Sequence, residues 1–388
     1  MERARFRVGV PFVAAIASGL LACGSLACGP SEPPSPPGLP PSASTVAGAA
    51  QRPASPTSAA GAASAASPTA PLTTEPLAVM RPPAISFAAA VDITYPTGAP
   101  DEAKRCKSET SPASAAAKTP VDAERADDEA RIRCLLGVRF AADVKTRDLA
   151  IDLFEKLGSV TGVITEHTMD GGWRGDLHLV PEAPVGHHRK HLQWVKSGFE
   201  EIDSFFAGLD ARRPPGTKST YRYRALGVRF LRSVGRTTPS AYANDWDVSY
   251  NVSGSLHAGP DAVRETLFHE VFHLNDSAHG RWSSSALTPI VDAILAECGQ
   301  KTACLAPYAP GTTMVRGGTY YAFQKGNGVW EYAAELANRY YTEHRAILRG
   351  EKLGKPPFKC GPPANQKAWK ALVDEFFGAD LTPACAAK

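Results

Sequence analysis

Apolar residues recur along this chain in two periods, and each period marks a different kind of element. Leu192, Val195, Phe199, Ile202 and Phe206 fall three or four residues apart, which predicts a helix with one buried stripe, ending before Pro214-Pro215-Gly216. Asp122–Leu136 and Val144–Leu157 also read as helices. Trp246, Val248, Tyr250 and Val252 alternate with their neighbours, which predicts a strand over 246–252. Tyr221–Ser233 reads as a second strand, and Gly175–Val180 as a short third closed by Pro181. Pro260 and Asp261 open a further helix, since proline is tolerated in a first turn. Val329–Tyr341 is rich in Ala, Leu and Glu and predicts another. Strands come first in this order and helices later, which points to an α+β layout rather than alternating βαβ units.

One apolar run has no period at all. Val8–Ala22 is unbroken, follows Arg3, Arg5 and Arg7, and is too short to span a bilayer comfortably. It ends in Leu20-Leu21-Ala22-Cys23, which resembles a bacterial lipobox, where a Cys becomes lipidated after cleavage. Ser25-Leu26-Ala27-Cys28 is a weaker second version. Residues 30–83 then hold 14 of the 33 prolines among Ala and Ser, with Glu32, Arg52, Glu75 and Arg81 as their charges. Such a stretch buries too little apolar surface to offset its chain entropy. The expected organisation is therefore a signal peptide at 1–22, a loose tether at 23–118, and a folded domain at 119–388. The expected location is the cell envelope, with the chain held at a membrane through lipid on Cys23.

Composition removes other classes. Lys and Arg number 42 against 39 Asp and Glu, a near balance that argues against binding nucleic acid by phosphate neutralisation. Beyond the signal, Cys106, Cys134, Cys298, Cys304, Cys360 and Cys385 form an even set without a Cys-x-x-Cys pair. In an oxidising compartment such a set defaults to disulfides. Proximity favours Cys106–Cys134, Cys298–Cys304 and Cys360–Cys385, and the first of these would start the folded unit near residue 100.

The helix after Pro260 carries the chemistry. It contains His269-Glu270-Val271-Phe272-His273, the zinc metalloprotease signature His-Glu-x-x-His. Residues four apart stack on one helix face, so both imidazoles can reach one ion. Glu270 is turned about 100° away from His269. It is placed to hold a water rather than to join the ligand set. Val263, Leu267, Val271 and Leu274 give the helix an apolar stripe, and buried histidines beside that stripe need partners.

A catalytic zinc takes a third protein ligand and leaves the fourth position open. Glu331 and Glu335, four apart in Trp330-Glu331-Tyr332-Ala333-Ala334-Glu335, resemble the glutamate helix of the gluzincins, the class that includes thermolysin and the lethal-factor-like proteases. The lethal-factor-like pattern is the closer likeness, because Trp330 stands where thermolysin has Asn. The resemblance implies Glu331 as the third ligand and Glu335 as the acid that orients a ligand histidine. It spans only Pro260–Tyr341. His279 competes for the third position, ten residues after His269 as in the metzincins. That class has glycine at the turn where this chain has Asp276, and Met314 lies in surroundings unlike its Met turn.

Tyr320 or Tyr321, after Gly317-Gly318, could donate to a developing oxyanion, with Tyr320 the expected catalytic residue. His187, His188 and His191 read as a solvated basic face. The element order predicts an α+β fold, and the resemblance implies that it is zincin-like, with a small mixed sheet packed on an active-site helix and a mostly helical C-terminal part. They predict a Zn²⁺ metalloendopeptidase with Glu270 as base and a protein or peptide as substrate. The alternative is a non-catalytic zinc-binding or structural lipoprotein on the same fold.

Overall fold

The computed structural model describes residues 84–171, 175–315 and 318–386. The expected signal peptide, Cys23 and the proline-rich stretch of 30–83 lie outside them. Among the described residues, five α-helices precede the first strand: α1 (Phe87–Thr94), α2 (Asp101–Lys104), α3 (Pro112–Ala115), α4 (Pro120–Arg139) and α5 (Val144–Leu157). The strands are β1 (Val160–Val163), β2 (His167–Asp170) and β3 (Asp176–Pro181), then β4 (Gly227–Ser233), β5 (Ala241–Asn244) and β6 (Asp247–Asn251). Between the third and fourth strands runs α6 (Arg189–Asp210), whose Leu192, Val195, Phe199, Ile202, Phe205 and Phe206 are buried as their spacing predicts. After the sheet come α7 (Pro260–Ala278), α8 (Trp282–Ala286), α9 (Thr288–Cys298), α10 (Thr302–Leu305), α11 (Val329–Leu348) and α12 (Pro363–Leu372). The class is α+β, and the C-terminal part is helical as expected. Strands do not come first: α4 and α5 match the helices read at Asp122–Leu136 and Val144–Leu157, and α1 to α3 add three more ahead of the sheet.

Those helices also correct the N-terminal boundary. Residues 84–118, assigned above to the tether, hold α1 to α3. Ala90, Ile93 and Ala103 are buried in the main core. Backbone of α1 lies so close to β1 that a Cβ on Gly162 would overlap the Ile93 carbonyl and come within 2.9 Å of Thr94 Cα. Cys106 is bonded to Cys134 of α4. Composition hid this, because the Pro, Ala and Ser content of the preceding stretch continues into it. The other two pairs are also those proximity favoured, Cys298–Cys304 and Cys360–Cys385. Three disulfides are consistent with an exported protein. No described helix is long and apolar enough to cross a membrane.

The sheet is mixed and centred on β4. One edge of β4 is shared: β1 runs parallel to Gly227–Phe230, and β3 runs antiparallel to Leu231–Ser233. The other edge pairs parallel with β6, which pairs antiparallel with β5. Two predicted strands are shorter than expected. Ala225 takes φ 55°, so β4 begins only at Gly227. Asp245 and Trp246, at φ 51° and 64°, form the tight turn that joins β5 to β6. Val248, Ser249, Tyr250 and Asn251 are all buried, because an interior strand is covered on both faces. Asn251 Nδ2 is satisfied there by Ser233 Oγ at 3.0 Å and the Pro239 carbonyl at 2.8 Å.

The helix α7 packs against α6, α11 and the edge strand β5. The side chain of Asn275 fastens its C-terminal half to the segment before β4. Its Oδ1 accepts from Arg222 N at 2.7 Å, and its Nδ2 donates to Arg222 O at 2.8 Å.

Candidate metal centre

Two helices from distant parts of the sequence build the site. On α7, Val263, Leu267, Phe268, Val271 and Phe272 are fully buried and fix the helix in the core, which leaves His269 and His273 on one side, one turn apart. On α11, Tyr332, Ala333, Leu336 and Ala337 are equally buried. They aim Glu331, in the first turn, at the two rings. A carboxylate is favoured at a helix N-terminus, where unpaired N–H groups leave partial positive charge.

His269 Nε2 lies 3.1 Å from His273 Nε2 and 3.2 Å from Glu331 Oε2, and His273 Nε2 lies 3.6 Å from the same oxygen. Two imidazole nitrogens this close must share a proton or face a common cation. These three residues are a group that could hold a metal ion. Burial alone would keep Glu331 protonated, but the hydrogen bonds from His269 and His273 outweigh it and hold the carboxyl well below the usual range. For His269 burial works against the charged ring. The hydrogen bond to Glu331 and the charges of Glu270, Glu331 and Glu335 prevail and raise it to about 9. Burial pushes the carboxyl of Glu270, which feels both histidines, upward. Glu335 Oε1 stands 3.6 Å from Nδ1 of His269, on the far side of the ring from Glu331.

His279 is not in this group. The turn that the metzincin spacing would require at Asp276 does not occur there, because α7 continues to Ala278 and the chain reverses at Gly280 and Arg281, at φ 69° and 59°. Asp276 instead receives Ser283 N and Ser283 Oγ, both at 2.7 Å. His279 pairs with Glu375.

Of the two candidate tyrosines, Tyr320 and Tyr321, it is Tyr321 that lies beside Glu331 and His269. Tyr320 pairs with Met314 as a β-bridge and packs against the core. Tyr321 is the residue that faces the acids, its ring centroid 6.2 Å from that of His269. Burial, a hydrogen bond to Glu331 and the nearby Glu270 and Glu335 all hold its hydroxyl protonated. Tyr320 is extended and caps a short 3-10 turn that Tyr321 opens, Tyr321–Phe323, and sequence alone did not say which ring faces the site. The basic histidine run is divided too. His187 is exposed, whereas His191 is buried and shares a 2.9 Å hydrogen bond with the Tyr250 hydroxyl.

Among known proteins, no family model, no curated protein and no solved structure matches the chain.

Proposed function

We propose that the protein is an exported, lipid-anchored zinc metalloendopeptidase of the zincin type, with His269, His273 and Glu331 as zinc ligands and Glu270 as general base. The observation that carries this reading is the spacing of the three donor atoms. Ligands about 2.0–2.1 Å from a tetrahedral zinc lie roughly 3.3–3.4 Å from one another. The three separations here are 3.1, 3.2 and 3.6 Å. Two imidazoles and one carboxylate are also the donor set of open, catalytic zinc sites rather than of closed structural ones. A fourth protein ligand would be needed for a closed site, and the candidate, His279, is committed to Glu375.

When bound, zinc supplies a Lewis acid for the scissile carbonyl and acidifies water to near neutral pH. The chain's own groups do the rest. Glu270 accepts the proton of the attacking water and passes it to the amine that leaves, so one carboxylate serves as base and then acid. Tyr321 offers a protonated hydroxyl beside the site, a donor of the kind that stabilises a carbonyl oxygen as it gains charge. Glu335, against Nδ1, orients the His269 ring. The lipid anchor rests on Ala22-Cys23 after the apolar run and on the tether that follows.

The test uses the purified mature protein, assayed for bound zinc and for cleavage of casein and a peptide library. Wild type should carry one zinc per chain. Glu270→Gln should keep that zinc and lose at least about 100-fold in hydrolysis. A zinc-free wild type, or full hydrolysis by Glu270→Gln, would refute the assignment.

A further inference from the structure

Gly311 is not a glycine for the sake of its backbone, since its φ lies outside the left-handed region. What it lacks is room. A Cβ built there would overlap Glu335 Oε2, come within 2.9 Å of Glu335 Cδ and stand 3.8 Å from Glu335 Oε1. All three nearest atoms therefore belong to one carboxylate. The same carboxylate presents Oε1 to Nδ1 of His269 at 3.6 Å, and the Glu335 side chain is only 13% exposed. Glu335 is thus held between the Cα of a loop residue on one side and a candidate ligand ring on the other.

We propose that Gly311 is a positioning residue: its missing side chain leaves the space in which Glu335 turns its carboxylate to Nδ1 of His269, and so keeps Nε2 of that ring facing Glu331 and His273. A carboxylate against Nδ1 fixes the proton there and leaves the Nε2 lone pair free for a metal. The consequence of adding a methyl group follows from what it meets. The obstructing atoms end a flexible side chain, so rotation of the outer torsions of Glu335 relieves the overlap at little cost. The fold survives and the ring loses its partner. Nothing in the residue's sequence surroundings, Pro310-Gly311-Thr312, distinguishes it from an ordinary loop glycine.

This inference rests on reading the site as a metal centre, and two measurements separate its failure from failure of that reading. The first is a crystal structure of Gly311→Ala, which should show the Glu335 carboxylate turned away from His269 with the backbone unchanged. It needs no metal. The second is zinc affinity by chelator competition, in a cycle of Gly311→Ala, Glu335→Gln and the double variant. Each single change should weaken zinc binding about 10- to 100-fold. In the Glu335→Gln background the added methyl should cost less than twofold more, because there is no carboxylate orientation left to lose. Glu335→Asp, one methylene shorter, should recover part of the affinity lost to Gly311→Ala and supplies a folded comparison if the single variant is unstable. An unmoved carboxylate in the crystal, or losses that simply multiply in the cycle, would overturn the proposal. A wild type that takes up no zinc would instead overturn the metal assignment, and the crystal would still decide the role of Gly311.

Discussion

His279 Nδ1 sits 2.6 Å from Glu375 Oε1, and its ring lies against Phe376 with centroids 4.7 Å apart. The histidine that sequence spacing offered as a metal ligand therefore ties the end of α7 to the C-terminal segment. Its loss should be a matter of local stability. His279→Ala is expected to retain zinc with an affinity within about threefold of wild type and to cost roughly 0.5–1.5 kcal/mol, as loss of a side-chain hydrogen bond does. His273→Ala should abolish zinc binding. Zinc titration and urea unfolding of the two variants check this. Zinc loss confined to His279→Ala would reverse the ligand assignment.

The two neighbouring tyrosines make a matched control for the oxyanion role. Tyr321 reaches Glu331, whereas Tyr320 belongs to the bridge with Met314. Tyr321→Phe removes one hydroxyl and nothing else from the pocket. It should lower kcat by about 100- to 1000-fold, the range for a lost oxyanion donor, with zinc retained. Tyr320→Phe should stay within about twofold. Equal effects, or an effect of Tyr320→Phe alone, would place the catalytic hydroxyl elsewhere.

How much of this was legible beforehand divides by physical cause. Helix α6 was readable because Leu192, Val195 and Phe199 repeat at the helical period, and the metal-site helix because His269 and His273 stand at the spacing that stacks side chains. The pairing of Glu331 with them came from a motif resemblance, since no local pattern reports which distant elements meet. Strands β1, β2 and β5 went unread. Each has four residues, too few for alternation to show, and β1 is buried along its whole length. The helix α1 was masked by a low-complexity neighbourhood, although Phe87, Val91 and Ile93 carry apolar surface within it.

The N-terminal helices have a consequence for stability. The bond between Cys106 and Cys134 closes a loop of 28 residues, which on chain-entropy grounds is worth about 3–4 kcal/mol. A chain starting at residue 119 loses that link together with the burial of Ala90 and Ile93. It should aggregate or melt well below a chain starting at residue 84. Limited proteolysis adds a second check: the 84–118 segment should resist cleavage when oxidised and become sensitive after reduction. A stable, fully folded 119–388 fragment would restore the longer tether.

Acid should weaken the fold through a second histidine pair, remote in sequence from the metal ligands. His191 Nδ1 is bonded to the Tyr250 hydroxyl at 2.9 Å, and His257 stacks on the Tyr250 ring with centroids 3.9 Å apart. Burial lowers both rings to about 4. For His191 the charges of Lys190, His257, His188 and His187 add to it, and for His257 a hydrogen bond to Asn251 O opposes it. Each ring is neutral in the fold and takes up a proton near pH 6.5 once unfolded. The unfolded state therefore binds more protons between pH 6.5 and 4, and stability falls as pH is lowered through that window. The slope from this source is about half-developed at pH 6.5, fades above it, and dies away below about pH 4. The loss is at most about 3 kcal/mol for each ring. His257→Asn keeps a neutral N–H donor for the Asn251 carbonyl and cannot be charged. Urea unfolding at intervals from pH 7.5 to 4.5 should give a shallower pH slope for His257→Asn than for wild type, while the two agree near pH 7.5 apart from a constant packing cost. Parallel slopes would show that His257 titrates alike in the folded and unfolded chain.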